Sequence, residues 1–302
     1  MVNNITIEQF NNEALLTMKH SSNNLLQINP ATEKKRITSF IKTVLKKQGF
    51  KNVIIGMSGG VDSATSFYLL KEVIPPENIF VAHLYYHGSQ FQDIEAFIKK
   101  AEIPKNNIYE MSILPIVKAF QSVIPSEAEE SHSTMAGEKD PSTRRFAPSV
   151  GMTMNRVRLG NIMARIRMII LYDLAKKNNA LVCGTENKSE FLLGYFTRFG
   201  DQASDFEPIQ HLYKTQVYEL AKFLGVPEKI IEKTPTAGLW RSQTDEGEFG
   251  FSYKEADEVL FYYYDKKLKL EEIKNMGFKN AEKIIAFSLR NNYKHHTPYV
   301  IK

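Results

Sequence analysis

From residue 30 onward, apolar side chains recur first at helical and then at strand spacing, and the alternation repeats along the chain. Ile37, Phe40, Ile41, Val44 and Leu45 fall on one side of a 3.6-residue period, and Gly49 stands where a left-handed cap would end that helix. The run 52–57, rich in β-branched residues, predicts a buried strand. Next come a predicted helix over 64–73, a strand over 79–85, a helix over 92–101, a strand over 107–111 and a helix over 115–124. The stretch 125–154 is polar, aperiodic and long for a loop inside a compact domain, which predicts a lid or an insertion. Helical spacing returns at Leu159, Ile162, Met163, Ile166, Ile169, Ile170 and Leu174, and a short strand is predicted at 180–183. Further helices are predicted over 215–224, 253–264, 271–276 and 281–291, with an acidic loop at 243–248. Alternation of this kind implies an α/β fold: a doubly wound parallel sheet with flanking helices, here with a helical C-terminal part. Residues 1–30 are Asn-rich with one weak helical stretch at 10–18, and read as an N-terminal extension to a domain spanning 31–302.

Composition narrows the class. With 302 residues and 43% hydrophobic content, the chain can bury a large core. Its one cysteine, Cys183, has no internal disulfide partner and sits in a predicted buried strand, a poor place for an attacking thiolate. There is no leader-like opening and no run of about 18 apolar residues, so a soluble, cytoplasmic protein without a membrane partner is expected. The net charge of +5 suits anionic ligands, but Lys and Arg are scattered rather than gathered into a tract. That favours nucleotides over nucleic acid, while most single lysines read as solvated surface. His87, His132, His295 and His296 lack the spacing of zinc ligands.

The sharpest local feature is Ser58-Gly59-Gly60-Val61-Asp62-Ser63, directly after the first predicted strand and directly before a helix. Two glycines let backbone approach an anion closely, Ser58 and Ser63 offer hydroxyls, and the helix presents free N–H groups at its positive end. This is the chemistry of a pyrophosphate cradle. In isolation the same residues would equally serve as a helix cap at Asp62 or Ser63; the flanking strand and helix favour the cradle. Neither the lysine nor the spacer of a Walker A loop is present, nor a G-x-G-x-x-G pattern, which disfavours γ-phosphate transfer.

The loop resembles that of the N-type ATP pyrophosphatases, which cut ATP between its α- and β-phosphates. A second run narrows the resemblance: Gly184-Thr185-Glu186-Asn187-Lys188-Ser189-Glu190, then Gly194-Tyr195-Phe196-Thr197-Arg198-Phe199-Gly200-Asp201, Asp205, Pro208 and Leu212-Tyr213-Lys214-Thr215. With Gly160-Asn161, Ala164-Arg165, Arg167-Met168, Pro235-Thr236-Ala237-Gly238-Leu239-Trp240 and Gln243-Thr244-Asp245-Glu246, the series resembles the ammonia-dependent NAD synthetases over about 34–302, the insertion excepted. The fold implied is Rossmann-like, of the adenine nucleotide alpha-hydrolase type. The activity implied is a carbon–nitrogen ligase: ATP adenylylates the carboxylate of deamido-NAD, and ammonia displaces AMP.

The resemblance assigns Gly56, Met57, Ser58, Gly59, Gly60, Val61, Asp62, Ser63, Thr185, Lys214 and Thr236 to ATP, which acts as co-substrate. Both the Ser58 loop and the turn at 185–190 leave carboxyl ends of predicted strands, where open α/β sheets bind ligands. Asp62 and Glu190 can then face one Mg²⁺, which takes one or two carboxylates together with phosphate oxygens and water. Lys214 is expected to offset charge on departing pyrophosphate, so Asp62, Glu190 and Lys214 form the expected catalytic set. Taken alone, Glu190 would read as an acid in the first turn of a helix, and the stripe Arg158, Asn161, Arg165 as solvated surface.

Arg165, Arg198, Asp205, Tyr293 and Lys294 are carried over to deamido-NAD. Two of these depart from the family pattern: Arg198 stands for a lysine, and Tyr293-Lys294 for a His-Lys pair. The segment Tyr85-Tyr86-His87-Gly88-Ser89-Gln90 and the insertion at 125–154 are also unlike it. A glutaminase domain would need a catalytic cysteine and a large further stretch of chain, so ammonia, free or from a separate partner, is the expected nitrogen donor. A homodimer is also implied. Rival readings are AMP transfer to another carboxylate, motivated by Arg198 and Tyr293; tRNA modification, disfavoured by the lack of a basic tract or Cys pair; and a nucleotide-binding module without catalysis.

Overall fold

The computed structural model describes residues 26–86, 88, 89, 91–122, 150–236, 238, 243–296, 298, 300 and 301. The predicted stretch at 10–18, most of the insertion, His87, Gln90, His132, Ala237, Leu239 and Trp240 lie outside them.

The chain enters through helix α1 (Pro30–Gln48), where Asn29 accepts from Thr32 N at 3.0 Å, Pro30 opens the first turn and Gly49 closes the last at φ +76°. Its buried side is narrower than predicted. Ile37, Ile41 and Leu45 enter the core, while Phe40 is exposed and meets Phe206 edge-on. Strands β1 (Asn52–Gly56), β2 (Ile79–Tyr85), β3 (Ile108–Ser112) and β4 (Ala180–Cys183) form one parallel sheet in the order β3-β2-β1-β4. Register pairs Ile54 with Phe80 on one side and Val182 on the other. Alternate side chains of β1 point to opposite faces, and both faces are covered, which is why its sequence is a continuous apolar run.

On one face, Val53, Ile55 and Val81 pack with α1, α2 (Val61–Lys71), α3 (Gln92–Lys100) and α7 (Lys214–Leu224). On the other, Ile54, Ala82 and Val182 pack with α4 (Leu114–Ser122) and α5 (Val150–Lys177). A third apolar cluster joins Leu193 of α6 (Lys188–Leu193) to the C-terminal helices α10 (Tyr253–Leu260), α11 (Leu270–Asn275) and α12 (Ala281–Asn291). Short helices α8 (Glu228–Ile231) and α9 (Asp245–Phe249) complete the order of described helices.

Other boundaries need correction as well. Helix α5 begins at Val150, inside the stretch read as aperiodic. The acidic segment at 243–248 is a helix from Asp245, because Thr244 caps it by accepting from Gly247 N at 3.2 Å and its acids lie in the first turn. The helix predicted to run to 264 stops at Leu260 and widens into a π turn, Phe261–Asp265.

The topology fixes where the site lies. From β1 the chain steps outward to β2 and β3, then returns along α5 to place β4 on the other side of β1. Connections leaving β1 and β4 therefore diverge at their carboxyl ends, opening a crevice between the loop at 57–60 and the turn at 184–187.

Candidate active site

The loop after β1 is held by its own side chains. Met57 N donates to Ala82 O at 2.8 Å, and the Met57 carbonyl meets Nδ1 of the buried His83 at 2.8 Å. Gly59 lies at φ +80°, a conformation that disfavours any side chain. Gly60 N donates to Ser58 Oγ at 3.2 Å, Ser63 Oγ donates to Gly60 O at 3.1 Å, and the two serine hydroxyls are 3.1 Å apart. The capping alternative therefore fails: Gly60 is the N-cap of α2, and no side chain caps it. The first amides of α2 are left facing the crevice, with the positive end of the helix behind them.

Across the crevice, Asn187 does two jobs. Its Oδ1 accepts from Glu190 N at 3.0 Å, capping α6, and its Nδ2 donates to Asp62 Oδ1 at 2.9 Å. Lys214, buried at the start of α7, joins both acids: its Nζ is 2.5 Å from Asp62 Oδ2 and 3.2 Å from Glu190 Oε1. Burial alone would lower the Lys214 pKa, but Asp62 and Glu190 more than offset it, and the ammonium is held above the ordinary lysine range. Glu190 is pushed up by burial, pulled back by Lys214 and pushed further by Asp62 and Asp245.

The C-terminal helices aim this lysine. Asp257 of α10 accepts from Ser189 Oγ and, at 2.8 Å, from Thr215 N, while Ser189 Oγ accepts from Lys214 N at 2.8 Å. Burial pushes Asp257 up to about 6 despite those hydrogen bonds. The Tyr253 ring lies 5.2 Å from the Lys214 ammonium, and its hydroxyl donates to Asp245 at 3.1 Å. Tyr195 donates to Asp245 at 3.2 Å and to Glu248 at 2.7 Å, tying α9 to the same wall.

Beside this centre, Gly184 follows β4 where a Cβ would fall 1.8 Å from a carboxylate oxygen of Glu207, so a side chain there would displace that carboxylate. Glu207 accepts from Glu186 N at 3.0 Å and Ser204 Oγ at 2.7 Å. Burial pushes Glu186 up to about 9 and Glu207 up to about 7, and one Glu186 oxygen, Oε1, is buried without a partner. Thr185 follows, half-buried, and Thr236 is exposed with its hydroxyl accepting from Gly238 N at 3.1 Å. Cys183 is core: its thiol donates to Gly184 O at 3.3 Å, and burial pushes its pKa up.

The residues expected at the second substrate form a group of their own. Arg165 Nε donates to Arg198 O at 3.2 Å, and the Arg198 guanidinium lies 5.1 Å from the Phe199 ring and 5.9 Å from the Tyr293 ring. The two departures from the family pattern thus face each other. Lys294 donates to Gly194 O at 2.8 Å and Phe196 O at 3.0 Å. Asp205 is held by a different element, its carboxylate accepting from Val182 N at 2.7 Å along the outer edge of β4. Asn161, readable as surface, accepts from Thr197 Oγ1 at 2.8 Å.

Residues 33–298 match the sequence model of the family described as NAD synthase. The chain belongs to the NAD synthase family. Among its relatives is an NH(3)-dependent NAD(+) synthetase of Thermococcus kodakarensis, 39% identical over 266 residues, covering 87% of this chain and 93% of the relative. Another, from Pyrococcus furiosus, is 41% identical over 80% of this chain and 81% of the relative. Solved structures of the same fold include an NMN synthetase from Francisella tularensis (TM-score 0.69, 29% identity, 91% of this chain and 100% of that one). An NH3-dependent NAD synthetase from Campylobacter jejuni, in complex with nitrate, superposes at TM-score 0.64 with 28% identity, again over 91% and 100%.

Sequence reasoning missed the roles of Asn187, Ser189, Asp245 and Asp257. Asn187, Ser189 and Asp245 lie within the quoted motifs, so their presence was legible. Asp257 lies mid-helix on α10, where nothing in its neighbours signals a partner on another element.

Proposed function

We propose that this chain amidates deamido-NAD with ammonia, consuming ATP and releasing AMP and pyrophosphate. The observation that carries the reading is the convergence of Asp62, Glu190 and Lys214 on the open amino end of α2, with Lys214 Nζ at 2.5 and 3.2 Å from the two acids. A carboxylate oxygen of the nicotinate attacks the α-phosphorus, the α–β bridging bond breaks, and pyrophosphate leaves with the electron pair. Ammonia then adds to the acyl carbon, AMP departs, and a proton is lost to give the amide. The loop glycines and α2 amides orient the phosphates, and no covalent nucleophile from the protein is needed.

The two acids fit Mg²⁺: both already turn an oxygen onto a single cation, the Lys214 ammonium, and Asn187 and the α6 cap fix their directions. Asp62 and Glu190 would hold the ion, whose charge offsets that gathering on the phosphates. Thr185, Thr236 and residues 56–63 complete the ATP site in this reading. Arg165, Arg198, Asp205, Tyr293 and Lys294 take the dinucleotide, with Arg198 and Tyr293 acting as a stacked pair. The enzyme works as a homodimer in the cytoplasm, using free ammonia or ammonia handed over by a separate partner.

The test is an incubation with ATP, Mg²⁺, ammonium and deamido-NAD, following AMP, pyrophosphate and NAD by chromatography. Nicotinate mononucleotide serves as a comparator acceptor because one relative is an NMN synthetase. NAD and AMP should appear together, and Asp62→Ala and Glu190→Ala should each lower kcat by about 10²–10³-fold. Pyrophosphate release without NAD would move the search to another acceptor; no ATP cleavage would leave a nucleotide-binding module.

A further inference from the structure

The motif that contributes Arg165 also carries Arg167, and the backbone of β2 fixes where that side chain ends. Ala82 O faces β1, accepting from Met57 N at 2.8 Å, and Tyr85 O faces the β3 side, accepting from Ile113 N at 2.8 Å. Carbonyls alternate in direction along a strand, so Leu84 O faces the β1 side again. At that level β1 has already ended, at Gly56 opposite Ala82, and given way to the loop at 57–60. Arg167 takes the place of the missing strand amide: from α5, its Nε donates to Leu84 O at 2.9 Å. The guanidinium is thereby anchored in the crevice at the carboxyl end of β1, entering from the α5 face, opposite the face on which α2 packs. We infer that Arg167 holds the carboxylate of the acceptor for attack on the α-phosphorus. The inference rests on the function given above and names the residue that receives the reacting group.

Its charge is not spent inside the protein. Among the described residues, the guanidinium N–H groups other than Nε have no hydrogen-bond partner. Asp201 attracts the guanidinium without bonding to it: Asp201 Oδ1 accepts from Thr197 N at 3.0 Å, and its charge also faces Lys294. Burial lowers the Arg167 pKa although the side chain is only half-buried, so the group lies in a recess that stays open to solvent. A cation that is costly to desolvate, with its terminal N–H groups unused, suits an anion with two coplanar oxygens. The phosphates have the α2 amides on the other face of the sheet, whereas the acceptor comes from the α5 side, where Arg165, Arg198 and Thr197 gather. Held by the guanidinium, the carboxylate approaches the anionic α-phosphate with its own charge offset. One oxygen forms the bond to phosphorus as pyrophosphate leaves with the electron pair. The other stays on Arg167, takes up charge when ammonia adds to the acyl carbon, and gives it back as AMP departs. The carboxamide so formed is neutral and brings an NH2 group against a cation, so product binds more weakly than substrate.

Deamido-NAD and NAD differ only in carboxylate against carboxamide, so calorimetry of each without ATP isolates the contact from turnover. Wild type should bind deamido-NAD at least about tenfold tighter than NAD. Arg167→Gln, which can still donate to Leu84 O, should lose that preference through a fall of roughly 10–100-fold in deamido-NAD affinity, with NAD affinity within about threefold of wild type. Arg167→Lys, which keeps the charge but not the planar fork, should recover part of it. A preference unchanged in Arg167→Gln would overturn the inference, as would equal losses toward both ligands, which mark a structural residue. So would a wild type that binds the two alike or binds neither. Wild type that forms no NAD yet prefers acid to amide through Arg167 would end the functional reading and leave the inference standing. NAD formation with the preference intact in Arg167→Gln would do the reverse.

Discussion

Glu186 is the residue whose environment conflicts most with its charge. It is buried beside Glu207, with Gln210 donating to one oxygen at 2.7 Å and the other oxygen left alone. Its pKa is pushed up to about 9 and that of Glu207 to about 7, chiefly by burial. The folded protein thus binds more protons at these positions than the unfolded chain above about pH 4.5, so stability falls as pH rises toward 9. Glu186→Gln keeps an acceptor for Gln210 and removes the titration. The variant should melt at least about 3 °C above wild type at pH 8, with the difference shrinking toward pH 5. Parallel melting curves across that range would show that Glu186 does not titrate between the folded and unfolded states. At this scale the motif residues were legible and their environments were not, because burial and the charge facing a carboxylate are set by chain far away in sequence.

At the scale of elements, the site depends on helix ends. Helix α6 is closed by the reciprocal contacts of Asn187 and Glu190, and the start of α7 is held from α10 by Asp257. Asp257→Ala would strip an acceptor from Thr215 N and Ser189 Oγ together, loosening the turn that aims Lys214. A loss of about 2 kcal/mol in unfolding free energy is expected, with kcat falling more than KM for ATP changes. Chemical denaturation and steady-state kinetics on one preparation check both, and unchanged kcat would detach α10 from the chemistry. Strand and helix positions in the α/β part follow local periodicity closely. Misreadings fall where the local pattern is silent: α2 starts at Val61 rather than 64 and is buried almost all round, polar Ser63, Thr65 and Ser66 included, because α1, α7 and β1 enclose it.

For the whole molecule, the face opposite the α1–α2–α7 layer stands out. On α4, Ile116 and Phe120 are 47% and 43% exposed, and on the adjoining α5, Ile169 is 69% exposed. Large apolar side chains in one layer suit an interface, and the proposed homodimer would bury them. Ile169→Glu should shift the mass seen by light scattering from dimer toward monomer with unchanged circular dichroism. A wild-type protein monomeric at tens of micromolar would remove this assignment.

Sequence alone determined the α/β class, the order of the strands in the chain, the glycine-rich turn between β1 and α2 and the family, because periodicity, glycine placement and motif spacing are local properties of the chain. Tertiary structure decided what no local pattern carries. It set β4 beside β1, so that Asp62 and Glu190, 128 positions apart in the chain, share the ammonium of Lys214. It also gave Asp257 its place behind that centre, through Ser189 and Thr215. Such pairings arise from packing layers against both faces of a sheet, and their energies depend on burial and distance that exist only once the chain is folded.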